Sequence, residues 1–291
     1  GRILCAKGAL AKLKVAADWR APVRRNRAEA AWMREASLLV PGAVPAILGE
    51  APMHNVFAME WLSPEDHPVW KTRLLAGDIS PSFAGQVGTV IGRIHAGTAG
   101  RPELAARFAN ADDFDALRLD PYLRATAQRH PAIGGRLRAL ADRTSKVRLA
   151  LIHGDVSPKN ILAGPDGPVL LDAECATYGD PAFDLAFCLN HFLLKSVHLP
   201  AFADPLGASF AALAQAYLAG ATWESVGDLE RRAVTLLPAL ALARVDGKSP
   251  VEYLDEAGRG GEQALPPGLG AVTRLVWVRY PAVLPQMAAY T

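Results

Sequence analysis

Apolar positions in this chain recur mostly at the three-and-four spacing of amphipathic helices, and only briefly in the compact runs typical of strands. Arg2-Ile3-Leu4-Cys5-Ala6-Lys7 is short, mostly apolar and closed by a glycine, which predicts a strand with Lys7 at its exit. From Pro22, a residue suited to a first helical turn, an alanine-rich run with Glu29, Trp32, Met33 and Glu35 predicts a helix that stops before Pro41. Residues 55–60, NVFAME, predict a second strand, closed by Ser63-Pro64. Strand, helix and strand in that order make a small mixed lobe over residues 1–63. Beyond it, Ser80-Pro81 followed by Phe83, Val87, Val90, Ile91 and Ile94 predicts a capped helix over 81–96. Further helices are predicted over 112–118, 121–129 and 132–146. Two apolar runs, 149–152 and 169–171, read as strands, with the turn Gly164-Pro165-Asp166-Gly167 before the second. After Pro181 the pattern predicts helices only, over 182–195, 204–219, 226–246 and 250–257, with another after Gly268.

Composition narrows the function classes. At about 150 residues per domain, 291 residues make one large domain or two lobes, ample for a buried core. Apolar residues make up 51% and charged ones 21%, as in a folded globular chain. With 31 basic and 29 acidic side chains the net charge is only +2, without the concentrated positive footprint of a nucleic-acid binder. The longest apolar stretch, Ala233 to Ala243, holds Thr235 and Pro238 between Arg232 and Arg244. It falls short of the roughly 20 residues of a membrane span. Residues 1–20 lack an apolar core followed by a small-residue cleavage site. Cys5, Cys175 and Cys188 are odd in number and without C-x-x-C spacing, which disfavours a disulfide framework. A reducing, cytoplasmic setting is the expectation, with no nucleic-acid or membrane partner. Charge is uneven: 22 basic and 14 acidic residues lie in 1–154, 1 and 4 in 155–177, and 8 and 11 in 178–291. The positive first part suits a polyanionic ligand and the acidic middle a divalent cation.

That acidic middle carries the chemistry. His153-Gly154-Asp155-Val156-Ser157-Pro158-Lys159-Asn160 follows a strand, and a second strand ends in Leu171-Asp172-Ala173-Glu174. This is the layout of a kinase catalytic loop and its metal-binding aspartate. Phosphoryl transfer needs a carboxylate to orient the acceptor hydroxyl and oxygen ligands to hold magnesium against the nucleotide phosphates. Asp155 supplies the first, and Asn160 and Asp172 the second. Turn-forming by Asp155 and Asn160 and strand capping by Asp172 are the bland alternative, which three oxygen ligands in a hairpin context outweigh.

With HGDVSPKN, LLDAE, Gly179-Asp180-Pro181 and Asp184-Leu185-Ala186, the chain resembles the aminoglycoside phosphotransferase and choline kinase superfamily over nearly its whole length. Its opening, CAKGALAKLKVAADWRAPVRRNRAEAAWM, looks like the lysine strand and following helix of the methylthioribose-kinase-like bacterial branch. The resemblance implies an α/β (α+β) protein-kinase-like two-lobe fold, with a truncated small lobe and a mainly helical catalytic and substrate lobe over 64–291. It implies ATP and Mg2+ as cofactors and phosphorylation of a small-molecule hydroxyl. Lys7 would contact nucleotide phosphates with Glu29 as its partner, for which Glu35 competes. Met59, Glu60, Trp61 and Leu62 would form the adenine-binding hinge. His153 would brace the loop, and Glu174 would either assist the metal or face solvent.

Only six residues separate Asp172 from Gly179, which leaves no room for the activation loop of a protein kinase and disfavours protein substrates. Helices after Pro181 would wall an acceptor pocket. Tyr178, Phe187, His191, Tyr217, Trp223 and Trp277 are candidates to line it, although aromatic residues at helical spacing are more often core. The net charge of −3 over 178–291 points away from a polycationic aminoglycoside and towards a sugar or amino alcohol, with convergence of Asp180, Asp184 and Glu252 as the alternative. The resemblance also implies a glycine-containing phosphate loop before the lysine strand, whereas six residues precede Lys7 here. A fragment of a longer chain is the favoured reading. The rival from another class is a catalytically silent nucleotide- or metabolite-binding pseudokinase.

Overall fold

Three short strands and one helix form the first lobe in the computed structural model, which describes residues 3–9 and 22–253. Strand β1 (Leu4–Gly8), helix α1 (Arg25–Leu39), β2 (Ile47–Ala51) and β3 (Val56–Glu60) give an antiparallel sheet ordered β1-β3-β2. Its register sets Lys7 opposite Phe57, so the lysine leaves the sheet beside a buried aromatic ring. β2 was not predicted, because its sequence, ILGEA, is largely exposed and its register shifts between Ile47 and Gly49, which erases the alternation a half-buried strand shows.

The second lobe is mostly helical. α2 (Trp70–Leu75), α3 (Pro81–Thr98), α4 (Pro102–Arg107) and α5 (Ala111–Phe114) lead into a π-helical segment, Asp115–Arg124, continued by α6 (Ala125–Arg129) and α7 (Pro131–Lys146). A break near 118–121 is therefore corrected: the helical path runs through Pro121. The wider i→i+5 turn accommodates a proline that has no N–H to donate. Strands β4 (Ala150–Ile152) and β7 (Thr177–Gly179) pair, as do β5 (Ile161–Gly164) and β6 (Gly167–Leu170). Helices α8 (Pro181–His198), α9 (Ala203–Ala219) and α10 (Val226–Asp246) complete the lobe. Residues 250–253 are irregular and turn-like, not the start of a helix. Residues 254–257, the helix expected after Gly268 and Trp277 lie outside the described residues.

The core is built around α8, which is buried from Pro181 to Ser196. Asp180 caps it, its side chain accepting from the Ala182 N–H. α3 packs against α9 so closely that a Cβ on Gly88 would strike the Leu213 carbonyl. Trp70 meets Phe83 and Phe192 edge-on at 5.3 and 5.6 Å. Each fully buried large side chain contributes about 1.5–3 kcal/mol. Among the described residues no helix is long and apolar enough to cross a membrane.

Candidate active site

The loop between β4 and β5 is fixed before any ligand is considered. Gly154 sits at φ 77, and a Cβ there would strike the Cys175 carbonyl, so both conformation and space require glycine. Asp184, wholly buried in the first turn of α8, accepts from the His153 N–H at 2.7 Å and the Gly154 N–H at 2.8 Å. His95 Nε2 donates to the same carboxylate at 3.2 Å. His153 Nδ1 accepts from the Asp155 N–H at 3.1 Å, so its proton lies on Nε2, which donates to the Leu171 carbonyl at 3.0 Å. Burial holds this imidazole below its ordinary range despite the surrounding carboxylates, and the ring stays neutral. It thereby ties the Asp155 loop to the strand end that carries Asp172.

Asp155 is 3% exposed, and all three of its side-chain partners gather on one oxygen. Arg118 Nη2 at 2.8 Å, Asn160 Nδ2 at 2.9 Å and Lys159 Nζ at 3.3 Å all approach Oδ2. Among the described residues none donates to Oδ1. Burial alone would raise this carboxyl, but the Arg118 and Lys159 cations outweigh it and hold it below the usual carboxylate range. Arg118 comes from the π-helical segment and also donates to the Gly154 carbonyl at 2.7 Å, so it fixes loop and carboxylate together. Replacing Arg118 with Met should cost about 2 kcal/mol of stability. It should also move the acid limb of the activity profile to higher pH. The sign follows from the pair: without the Arg118 cation the buried Asp155 carboxyl titrates higher, so its ionised form is lost at a higher pH as the solution is acidified. An unmoved limb in a pH–rate profile of the variant would contradict the pairing.

Lys7, Glu29 and Asp172 meet across the lobes. The Lys7 ammonium donates to Glu29 Oε1 at 2.7 Å and also contacts the Asp172 carboxylate. Burial would lower the lysine, but Glu29 and Asp172 together raise it above its ordinary value. Glu35 pairs instead with Arg107 at 2.8 Å. Asp172 itself is held at φ 66, in the left-handed region, after β6. The Asn160 carbonyl accepts from the Leu171 N–H at 2.8 Å, which brings Asn160 and Asp172 side by side. Asn160 Nδ2 donates to the Asp155 carbonyl and to Asp155 Oδ2, which leaves the amide oxygen outside these bonds.

That donor set fits magnesium. Among the described residues no three His, Cys, Asp or Glu side chains come together as a cage. One carboxylate and one amide oxygen suit a hard ion that keeps water and phosphate oxygens as its other ligands. Glu174 is not part of the set, because it accepts from Arg25 Nε at 2.7 Å. Met59 and Glu60 end β3 and Trp61 and Leu62 follow it, with Trp61 exposed. Among the described residues none of these four side chains bonds to the Asp155 or Lys7 clusters.

Several acceptor-pocket candidates are elsewhere engaged. Tyr178, Phe187 and Tyr217 are core residues, and Tyr217 holds His95 Nδ1 at 2.8 Å. Trp223 packs against the same core. Asp180 pairs with Arg232 at 3.1 Å and Asp184 holds the loop, so neither converges on a ligand. His191 does line a cavity beside the loop, together with Lys159 and Lys195. A larger cavity of about 430 Å³ borders α1, but its Arg24, Arg34 and Arg107 are already paired with Asp113, Glu50 and Glu35.

A family model described as the phosphotransferase enzyme family matches residues 7–233. Methylthioribose kinase of Yersinia pseudotuberculosis is 24% identical over 220 residues, covering 67% of this chain and 54% of that protein. Methylthioribose kinase of Erwinia tasmaniensis is 26% identical over 220 residues, covering 66% and 54%. The chain spans about half the length of the curated relatives it matches. Among solved structures, a glucosamine kinase superposes with a TM-score of 0.50 at 20% identity, over 97% of this chain and 74% of that one. A choline/ethanolamine kinase family protein from Mesorhizobium loti gives 0.46 at 20% identity, over 98% and 86%. The glucosamine kinase likeness concerns the fold alone and agrees with a protein-kinase-like architecture.

Proposed function

The chain belongs to the phosphotransferase enzyme family, and from that premise we propose that it transfers the terminal phosphoryl group of ATP to a hydroxyl of a small molecule. The observation that carries this reading is the one-sided environment of Asp155: three donors hold Oδ2, and Oδ1 is left for an acceptor hydroxyl. In this reading the acceptor O–H donates to Oδ1, its oxygen forms the new bond to phosphorus, and the bond between phosphorus and the ADP oxygen breaks. The acceptor proton passes to Oδ1 as that bond forms. Placement in a fixed, water-poor loop supplies orientation, which is most of what phosphoryl transfer asks of a protein.

Lys7, steadied by Glu29, takes the nucleotide phosphates. Asn160 and Asp172 hold magnesium, which when bound offsets phosphate charge. The adenine lies against Met59 to Leu62, where the chain leaves β3 and the backbone of Trp61 and Leu62 is outside the sheet.

Asp172→Ala should weaken magnesium-dependent ATP binding at least tenfold, about 1.4 kcal/mol. The check is the rise in melting temperature across an ATP titration with and without magnesium. An unchanged titration midpoint would remove Asp172 from the metal set.

A further inference from the structure

Beside Asp155 lies a cavity of about 170 Å³ whose walls collect positive charge from four separate parts of the chain. Lys71 comes from α2, Lys159 from the catalytic loop, Lys195 and His191 from α8, and Arg244 from α10. Two of these cations are already matched, Lys71 by Glu252 and Lys159 by Asp155. Among the described residues Arg244 and Lys195 are not. There Arg244 Nη1 reaches only neutral oxygens, Ser249 Oγ at 2.8 Å and the Ser249 carbonyl among them, and its Nε is buried without a partner. Lys195 is 1% exposed, and among the described residues no carboxylate pairs with it. The Tyr253 ring lies 5.0 Å from the ammonium.

Burying a cation without a counter-charge is costly, and clustering several is more so. Burial, with Lys71 and Arg244 close by, pushes the Lys195 ammonium down to about 7. His191 is pushed well below its ordinary range by burial and the same cations, so it offers a neutral donor or acceptor. With Lys71 set against Glu252 and Lys159 against Asp155, Arg244 leaves an excess of one positive charge, and Lys195 adds a second when protonated. An anion seated here would relieve both the repulsion and the burial. Lys159 lines this cavity and also contacts Asp155 Oδ2 at 3.3 Å, so the cavity adjoins the loop that carries Asp155.

We propose that the acceptor is an anionic hydroxy compound, carrying a carboxylate or phosphate that Lys195 and Arg244 bind while its hydroxyl meets Asp155. This rests on the phosphotransferase reading above and departs from the neutral sugar or amino alcohol that segment charge suggested. A polycationic acceptor meets like charge here and is disfavoured for the same reason.

The test is a charge series on one scaffold: glycerol, 3-amino-1,2-propanediol, glycerate and glycerol 3-phosphate, with sorbitol, glucamine, gluconate and sorbitol 6-phosphate as the six-carbon counterpart. Magnesium-dependent ADP release is the readout, and melting temperature with magnesium and ATP is recorded on the same samples. In at least one series an anion should exceed its neutral and cationic counterparts in kcat/KM at least tenfold, and the carboxylate and phosphate arms identify the head group. Lys195→Met, which places an apolar side chain in a buried position, should reduce that anion-to-neutral ratio at least tenfold. The effect should fall on the acceptor KM and not on the KM for ATP. Nucleotide binding without any preference for anions, or a preference untouched by Lys195→Met, overturns this proposal alone. No melting shift with magnesium and ATP overturns the kinase reading beneath it.

Discussion

Replacing Asp155 with Asn is expected to lower turnover at least about a thousandfold, roughly 4 kcal/mol of barrier, with the fold retained. Asn keeps the shape of the side chain, and Arg118 keeps its bonds to the Gly154 and Leu117 carbonyls. What is lost is the charge at Oδ1 that would accept the acceptor proton. Because Asn160 and Asp172 are untouched, magnesium-dependent ATP binding should stay within a fewfold of the parent. The measurement is steady-state turnover beside a nucleotide melting titration. Activity within tenfold of the parent would remove Asp155 from the reaction.

Asp184→Ala should act on the fold instead. It strips the acceptor from two buried backbone N–H groups, those of His153 and Gly154, and from His95. Each orphaned donor costs about 1–3 kcal/mol, so a loss of about 4 kcal/mol is expected. At about 2–4 °C per kcal/mol for a chain of this size, the melting temperature should drop by about 10 °C. Asp184→Asn keeps one acceptor oxygen and should lose clearly less. A fall of under 2 °C for the alanine variant would mean that the loop does not depend on Asp184.

The sequence was most legible where function rests on local spacing. Asp155, Asn160 and Asp172 stand out because one short loop and one strand end must present them together. Arg118 did not, and Asp184 was visible only as part of the resemblance and as a possible acceptor contact, because each reaches the loop from 30 or more positions away in sequence, a contact no local pattern encodes. α2 went unseen because six residues are too few to establish a helical period. Segment charge could not show this cavity: the −3 of residues 178–291 is an average that includes the buried Asp180 and Asp184, whereas the cavity draws Lys71 and Lys159 from outside that segment. Lys195 was hidden because a lysine in the last turn of a mostly apolar helix reads as a surface position, whereas it is almost fully buried.

The central claim is phosphoryl transfer to an acceptor hydroxyl, and phosphorus NMR of ATP with the acceptor series tests it most directly. With magnesium, a phosphomonoester resonance from a hydroxyl-linked product should grow in step with ADP, and it should vanish when magnesium is chelated. Nucleotide that binds but yields neither ADP nor a phosphomonoester with any acceptor would contradict the account and leave a silent binding protein in its place.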